Sequence, residues 1–263
     1  MTTLSVFLGY NPIDIHSHFD HGVEGDASYI RNEQMKNIQL ADLDSLFLEY
    51  DNIGISVGAF STYSSVLSTV RIPEENEYMR EIAERERRVY QWVVIHPEIE
   101  ETFRQAERML ASDKALGIKI HPSYHGYEIC DHYEKIFSFA NDLGATVLMH
   151  PQSILKMPEL CDGYPNMKLI IAHLGSEDHV TAVKNSKAGN IYLDTSGGAS
   201  NLNNVVEYAV KTVGADKILF GTDTYSSAFQ AGRIAFARIS ADDKKKILRD
   251  NAKRLFPEAF SKI

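Results

Sequence analysis

Eight short apolar runs punctuate this chain: Ile13–Ile15, Ile53–Phe60, Val89–Ile95, Gly117–Ile120, Thr146–Met149, Leu169–Ala172, Ile191–Leu193 and Ile218–Phe220. Most are rich in Ile, Val and Leu and nearly continuous, the pattern of strands buried on both faces. Between them the apolar residues are spaced as on helices. Ile99, Phe103, Ala106 and Leu110 fall on one face, and so do Ile129, Tyr133, Phe137 and Ala140, which stop at Leu143-Gly144. Leu202, Val205, Val206, Ala209 and Val213 make a third stripe that ends at Gly214. Ser240, with Asp243 three residues on, has capping-box spacing and opens a last helix carrying Ile247, Leu248 and Leu255. Strands alternating with helices predict an α/β protein with a parallel sheet. Eight such units in 263 residues predict closure into a (β/α)8 TIM barrel, a single domain spanning residues 1–263. A doubly wound open sheet is the rival. It ordinarily carries a G-x-G-x-x-G turn after an early strand, and none occurs there.

Composition narrows the function. Lys and Arg total 27 against 36 Asp and Glu, a net charge of −9. That lacks the basic footprint of a nucleic-acid binder, although a local basic site stays compatible with it. The apolar share of 44% and charged share of 24% are those of an ordinary globular chain, which excludes disorder as a global description. Cys130 and Cys161 are the two cysteines. A core of this size needs no disulfide framework, and two scattered thiols suit a reducing compartment. The N-terminus has no basic stretch before its short apolar run, so it reads poorly as a signal peptide. No apolar run approaches the roughly 18 residues of a membrane span. The expectation is a cytoplasmic protein acting on a small molecule, with no nucleic-acid or membrane partner; a homodimer is one assembly open to it.

What ends the runs carries the chemistry. The first closes in Asp14-Ile15-His16-Ser17-His18, the third in His96-Pro97 and the fourth in His121-Pro122. The fifth closes in His150-Pro151, the sixth in His173 and the eighth in Gly221-Thr222-Asp223. Six of the ten histidines stand at strand ends, which in a parallel barrel meet on the face where active sites are built. One such histidine is ordinarily a hydrogen-bonded or solvated residue, and the three before proline read also as strand stops. Neither reading explains so many together. Crowded buried imidazoles and a carboxylate are costly unless paired or bound to a metal. Strand parity puts His16 and His18 on one face, Asp14 one step deeper on the same face, where it is placed to orient a ligand, and Ile13 and Ile15 outward against helices.

These motifs resemble the amidohydrolase superfamily, in particular the amidohydrolase 2 branch of small TIM-barrel metal-dependent hydrolases. The resemblance spans nearly the whole chain. Asp-Ile-His-Ser-His at 14–18, Gly-Ile-Lys-Ile-His-Pro at 117–122, His150 and Ala-His-Leu-Gly at 172–175 carry it, with Leu-Asp-Thr-Ser-Gly at 193–197 and Phe-Gly-Thr-Asp at 220–223. The tail Asp-Asn-Ala-Lys-Arg-Leu-Phe at 250–256 looks like that family's closing helix.

The resemblance implies His16, His18 and Asp223 as metal ligands, completed by His150, with His173 nearby as an acid, base or electrophile. In binuclear members His150 and His173 hold a second ion, and a carboxylated lysine bridges the two. Lys119 stands where that lysine would be; a plain ammonium that binds an anionic group is the equal alternative. His121 is a further ligand or substrate contact. Zinc suits the donors, as one ion or two, and manganese, iron and nickel suit them also. A bound ion draws the pKa of its water from about 15.7 towards 7. Asp223 is then the expected base and His173 the group that steadies the oxyanion. The expected reaction is hydrolysis of an amide, lactone or ester bond. A metal-dependent non-oxidative decarboxylase is the first alternative, a phosphoesterase the second and a non-catalytic metal-binding barrel the third. Specificity is expected from Phe19–Gln34, Ser61–Pro73, Tyr124, His125, Tyr127 and Thr224, Tyr225 and Ser226. Arg71 and His96 are candidates for binding a carboxylate.

Overall fold

A computed structural model describes residues 9–19, 42–224 and 227–263. Eight parallel strands pair in sequential order. They are β1 (Ile13–Phe19), β2 (Val57–Thr62), β3 (Val89–Val94), β4 (Ala115–Ile120), β5 (Thr146–Met149), β6 (Lys168–Ile171), β7 (Ile191–Asp194) and β8 (Ile218–Leu219). Beyond the two regular residues of β8 the backbone closes the ring. Ile15 N donates to Phe220 O at 3.0 Å, and the amides of Thr222 and Asp223 donate to His16 O at 3.1 and 2.7 Å. The (β/α)8 barrel read from the sequence is the fold.

Two apolar layers follow from the strand alternation. Ile13, Ile15, Ala59, Trp92, Leu148, Ile170, Tyr192 and Leu219 share one cluster with Phe256 and Phe260, filling the barrel and stopping its lower end. Phe60, Val93, Ile118, Val147, Ile171, Leu193 and Phe220 pack instead against helices such as Glu100–Met109 and Ile129–Asp142. Ile13 and Ile15 therefore point inward, against the outward reading. The cause is a break in register. Asp14 pairs with Gly58 but Ser17 with Phe60, so β1 spends one residue more than β2 over this step. Such a bulge resets parity. Ile13 and Ile15 fill the barrel below it, His16 and His18 reach the rim above it, and Asp14 turns outward.

Other boundaries moved for local reasons. The run from Ile53 divides because Ile53 ends a helix, Leu43–Ile53, whose cap Gly54 takes φ 77° and donates to Tyr50 O; the strand starts at Val57. The helix of the third stripe begins at Val205 and ends on Gly214 with φ 83°. Leu202 precedes it and is exposed, so it is not part of the buried face. Ser240 caps the helix Ala241–Lys245 by accepting from Asp243 N at 3.1 Å, as its spacing required.

Candidate metal centre

The C-terminal ends of β1, β4, β5, β6 and β8 open on a cavity of about 210 Å³. His16, His18, Lys119, His150, His173 and Asp223 form its polar floor. Tyr63, Val66, Leu67, His121 and Tyr124 form a wall supplied by the segments after β2 and β4. All six residues singled out as ligands or catalytic groups thus share one cavity. His96 does not line it; its ring packs on His125 and Tyr127, and its Nε2 donates to His125 O at 3.3 Å. Arg71 is exposed at a helix start. Thr224 does not reach the cavity either. Its hydroxyl accepts from His18 N at 2.8 Å and donates to His18 O at 2.6 Å, tying β1 to the turn after β8. Residues 20–34, Tyr225 and Ser226 lie outside the described residues.

The donors converge on Asp223. His18 Nε2 is 3.1 Å from its Oδ1, His16 Nε2 3.6 Å from the same oxygen, and His173 Nε2 4.0 Å from its Oδ2. His173 Nε2 also lies 3.2 Å from His150 Nδ1. One ligand atom from each of His16, His173 and Asp223 falls within 4.8 Å of the others.

Hydrogen bonding behind the rings decides whether this set suits a cation. His18 Nδ1 faces the carbonyl of Ser61 at 3.1 Å and His173 Nδ1 the carbonyl of Ser196 at 3.3 Å. A carbonyl only accepts, so these contacts are hydrogen bonds when the ring carries its proton on Nδ1; the Ser61 and Ser196 hydroxyls lie 3.1 and 2.9 Å from the same nitrogens. His16 Nδ1 faces Asp194 Oδ2 at 2.8 Å, which asks the same of it. With Nδ1 protonated, the Nε2 lone pair of each ring looks into the cavity, which is what a metal requires of imidazole.

Electrostatics agree. Burial, with the Lys119 charge beside it, takes His16 down to about 3, and burial takes His150 to about 3 with His173 and Lys119 adding to it. Burial lowers His18 as well. Burial thus favours the neutral form of these three rings, the form in which imidazole can ligate a metal. Burial opposes ionisation of Asp223, but the positive charge that the surrounding imidazoles carry when protonated, His173 foremost, and the His18 hydrogen bond outweigh it and hold the carboxyl well below its ordinary range. Lys119 is almost wholly buried with Nζ 2.8 Å from His16 Nε2. Burial drops it to about 8, against the pull of Asp223 and Asp194.

Sequence reasoning named Asp14 as the residue orienting a ligand, and the structure gives that contact to Asp194. Asp14 accepts from His16 N, not from its ring, and from Tyr50 Oη, Thr222 Oγ1 and Thr222 N. Asp194 ends β7 and touches the ring itself. Its signals in the sequence are its place in Leu-Asp-Thr-Ser-Gly at 193–197 and a polar residue closing a strand, neither of which says that it touches His16. Backbone geometry marks the rim too: His173 has φ 62°, Asp223 58° and Thr224 59°, conformations unusual outside glycine.

The profile of the amidohydrolase family matches residues 13–257. No curated protein sequence matches this chain. Among solved structures it is similar to a 2,6-dihydroxybenzoate decarboxylase complexed with 2,6-dihydroxybenzoate, with TM-score 0.74, 17% identity, and coverage of 94% of this chain and 99% of that one. It is similar to a dihydroxybenzoic acid decarboxylase from Polaromonas sp. JS666 with bound manganese and 2-nitroresorcinol, with TM-score 0.72, 19% identity, and coverage of 94% and 97%. It is also similar to a 5-carboxyvanillate decarboxylase from Novosphingobium aromaticivorans DSM 12444 complexed with manganese and 4-hydroxy-3-methoxy-5-nitrobenzoic acid, with TM-score 0.74, 15% identity, and coverage of 98% and 99%. Likeness at these identities establishes the fold.

Proposed function

This chain belongs to the amidohydrolase family, and we propose that its rim cavity is a divalent-metal active site that hydrolyses an amide, lactone or ester bond of a small molecule. The observation that carries the proposal is the convergence of bare imidazole Nε2 atoms on one ionised carboxylate. His16, His18, His150 and Asp223 would hold the ion, with His173 at its edge or holding a second. Zinc suits the donor set, and manganese is bound by two of the similar decarboxylases. When bound, such an ion polarises a carbonyl and acidifies water.

The chain's own groups supply the rest. Asp223, already ionised, is a proton acceptor at neutral pH; it must receive a proton before it can pass one on, the order in which hydrolysis uses its base. Its Oδ2 faces His173 Nε2, where the proton can leave towards a departing group. Lys119 would neutralise an anionic group of the substrate as an ammonium, or bridge two ions once carboxylated. Tyr63, Val66, Leu67 and Tyr124 give the substrate an apolar wall. Small size is set by the cavity. No helix among the described residues is long and apolar enough to cross a membrane.

Decarboxylation is the second reading, favoured by the likeness to three decarboxylases. One experiment separates the two. Protein stripped by a chelator is reloaded with Zn2+ or Mn2+ and offered amides, lactones, esters and aromatic carboxylates. Incorporation of heavy oxygen from labelled water supports hydrolysis; release of carbon dioxide without it supports the second reading. Protein that retains neither ion overturns both.

A further inference from the structure

The turn after β7 holds a network that the ligand set leaves unexplained. Asp194 and Ser196 are fully buried. Asp194 Oδ2 faces His16 Nδ1 at 2.8 Å. Its Oδ1 accepts from His173 N at 3.0 Å, Ser196 N at 2.9 Å and, in a very short bond, Ser196 Oγ. Ser196 Oγ lies 2.9 Å from His16 Nδ1 and 2.9 Å from His173 Nδ1. These two rings come from β1 and the end of β6, and they stack with centroids 5.2 Å apart.

The contacts of Ser196 and Asp194 favour one arrangement of protons. An ionised carboxylate only accepts, so the single hydroxyl proton of Ser196 goes to Asp194. The hydroxyl oxygen then has lone pairs for both rings and can only receive from them. His16 and His173 must both carry Nδ1–H, and both must turn a bare Nε2 to the cavity. Gly197 makes the approach possible. A Cβ there would lie 2.6 Å from His173 Nδ1 and 3.2 Å from Asp223 Oδ2, and its φ of 72° excludes most side chains.

We propose that Asp194 and Ser196 are positioning residues that lock His16 and His173 together in the Nδ1–H tautomer, making two separate strand ends one cation-receiving unit. The metal-affinity part rests on the metal-dependent reading above; the tautomer part does not. Asp194→Asn is the sharpest variant. Its Oδ1 stays with the three donors of the turn, so its NH2 faces His16 Nδ1. Two donors then oppose each other, and His16 is driven to the Nε2–H tautomer, which blocks its ligand atom.

Imidazole 15N spectra of the metal-free protein test this directly, with Mn2+ titrated into the same samples. Wild type should show Nδ1–H for both rings. Asp194→Asn should move His16 to Nε2–H and weaken Mn2+ binding by about 10–100-fold. Ser196→Ala should leave His16 on Asp194 but leave His173 Nδ1 only the carbonyl of residue 196 at 3.3 Å, so the His173 population should shift measurably towards Nε2–H. Because Ser196→Ala removes only a hydroxyl, it answers the question even where Asp194→Asn fails to fold. Unchanged tautomers in the folded variants overturn the proposal. A wild type locked as described but unable to bind Mn2+ or Zn2+ overturns the metal reading and leaves the lock standing.

Discussion

Tyr50→Phe removes one hydroxyl donor from the Asp14 carboxylate, which touches neither cavity nor solvent. The phenol donates to Asp14 Oδ2 at 2.5 Å. Asp14 is wholly buried, and burial pushes its carboxyl up to about 7 in spite of the Thr222 and Tyr50 hydroxyls and the amides of His16 and Thr222. Phe keeps the packing, since the ring stacks on Phe60 at 6.3 Å and 23°. The loss is therefore centred on that hydrogen bond, with the hydroxyl's contacts to Ser17 and Thr222 beside it. Against a neutral carboxyl it is worth about 1 kcal/mol, and against an ionised one about 1.5–3 kcal/mol. The sign follows from the raised pKa. A folded carboxyl that holds its proton more tightly than the unfolded chain contributes most stability in acid, and that contribution is lost as pH rises through about 7. The hydroxyl serves the ionised form, so its removal is felt most above that pH. Urea melts at pH 5 and pH 9, with unchanged slope, should show Tyr50→Phe destabilised by about 1 kcal/mol at pH 5 and by two to three times as much at pH 9. In thermal melts each kcal/mol is worth about 2–4 °C for a chain of this size. A penalty that is flat with pH, or greater at pH 5, would refute the reasoning that Asp14 ionises within this range in the folded protein.

Two substitutions address the rim. Asp223→Asn keeps shape but removes the proton acceptor, so turnover on any substrate found should fall by about 10²–10⁴-fold while circular dichroism is unchanged; near-normal kcat would show the base to lie elsewhere. Gly197→Ala places a methyl against His173 Nδ1 at a backbone angle that costs of order 1–3 kcal/mol for a non-glycine residue, so it should lower the melting temperature and the retained metal together, and a fully loaded, equally stable variant would contradict the close approach.

The barrel was legible because burial on both faces writes a strand as a continuous apolar run. Val89–Val94 and Thr146–Met149 appear almost residue for residue, since a strand of an enclosed sheet is buried on both faces and so reads as a nearly continuous apolar run. The candidate ligands were legible for a related reason: His150, His173 and Asp223 are polar where the run stops, and a stop in a parallel barrel is a place on one rim. What could not be read was anything that depends on phase or on depth. The bulge in β1 leaves no mark in Asp-Ile-His-Ser-His, yet it decides that Ile15 fills the barrel and Asp14 leaves it. Asp194 closes β7 as His150 closes β5, but only the distance to His16 Nδ1 tells a ligand's support from a ligand. Tyr63 and Val66 enter the cavity wall because Thr62 caps a short helix directly on the strand end, accepting from Ser65 N at 3.2 Å.

Strain and support at the rim belong to one argument. A β-strand that continued regularly past Ala172 would alternate, carrying residue 173 outward with the helices. Instead His173 takes φ 62° and its ring turns inward to Ser196 and His150. Left-handed backbone at a histidine costs free energy that packing alone would have avoided with glycine. The cost is met locally, because the amide of that same residue donates to Asp194 Oδ1 while its ring donates to Ser196 Oγ. Asp223 repeats the device at the end of β8: φ 58°, with its amide donating to His16 O at 2.7 Å. In both cases the bond that holds the strained backbone runs to the strand, or to the network, that aims another candidate ligand. The rim is therefore not a set of side chains hung independently on a rigid barrel. Displacing any one of His16, His173, Asp194 or Asp223 loosens the backbone beneath the others, and their contributions to metal binding should be strongly non-additive when variants are combined.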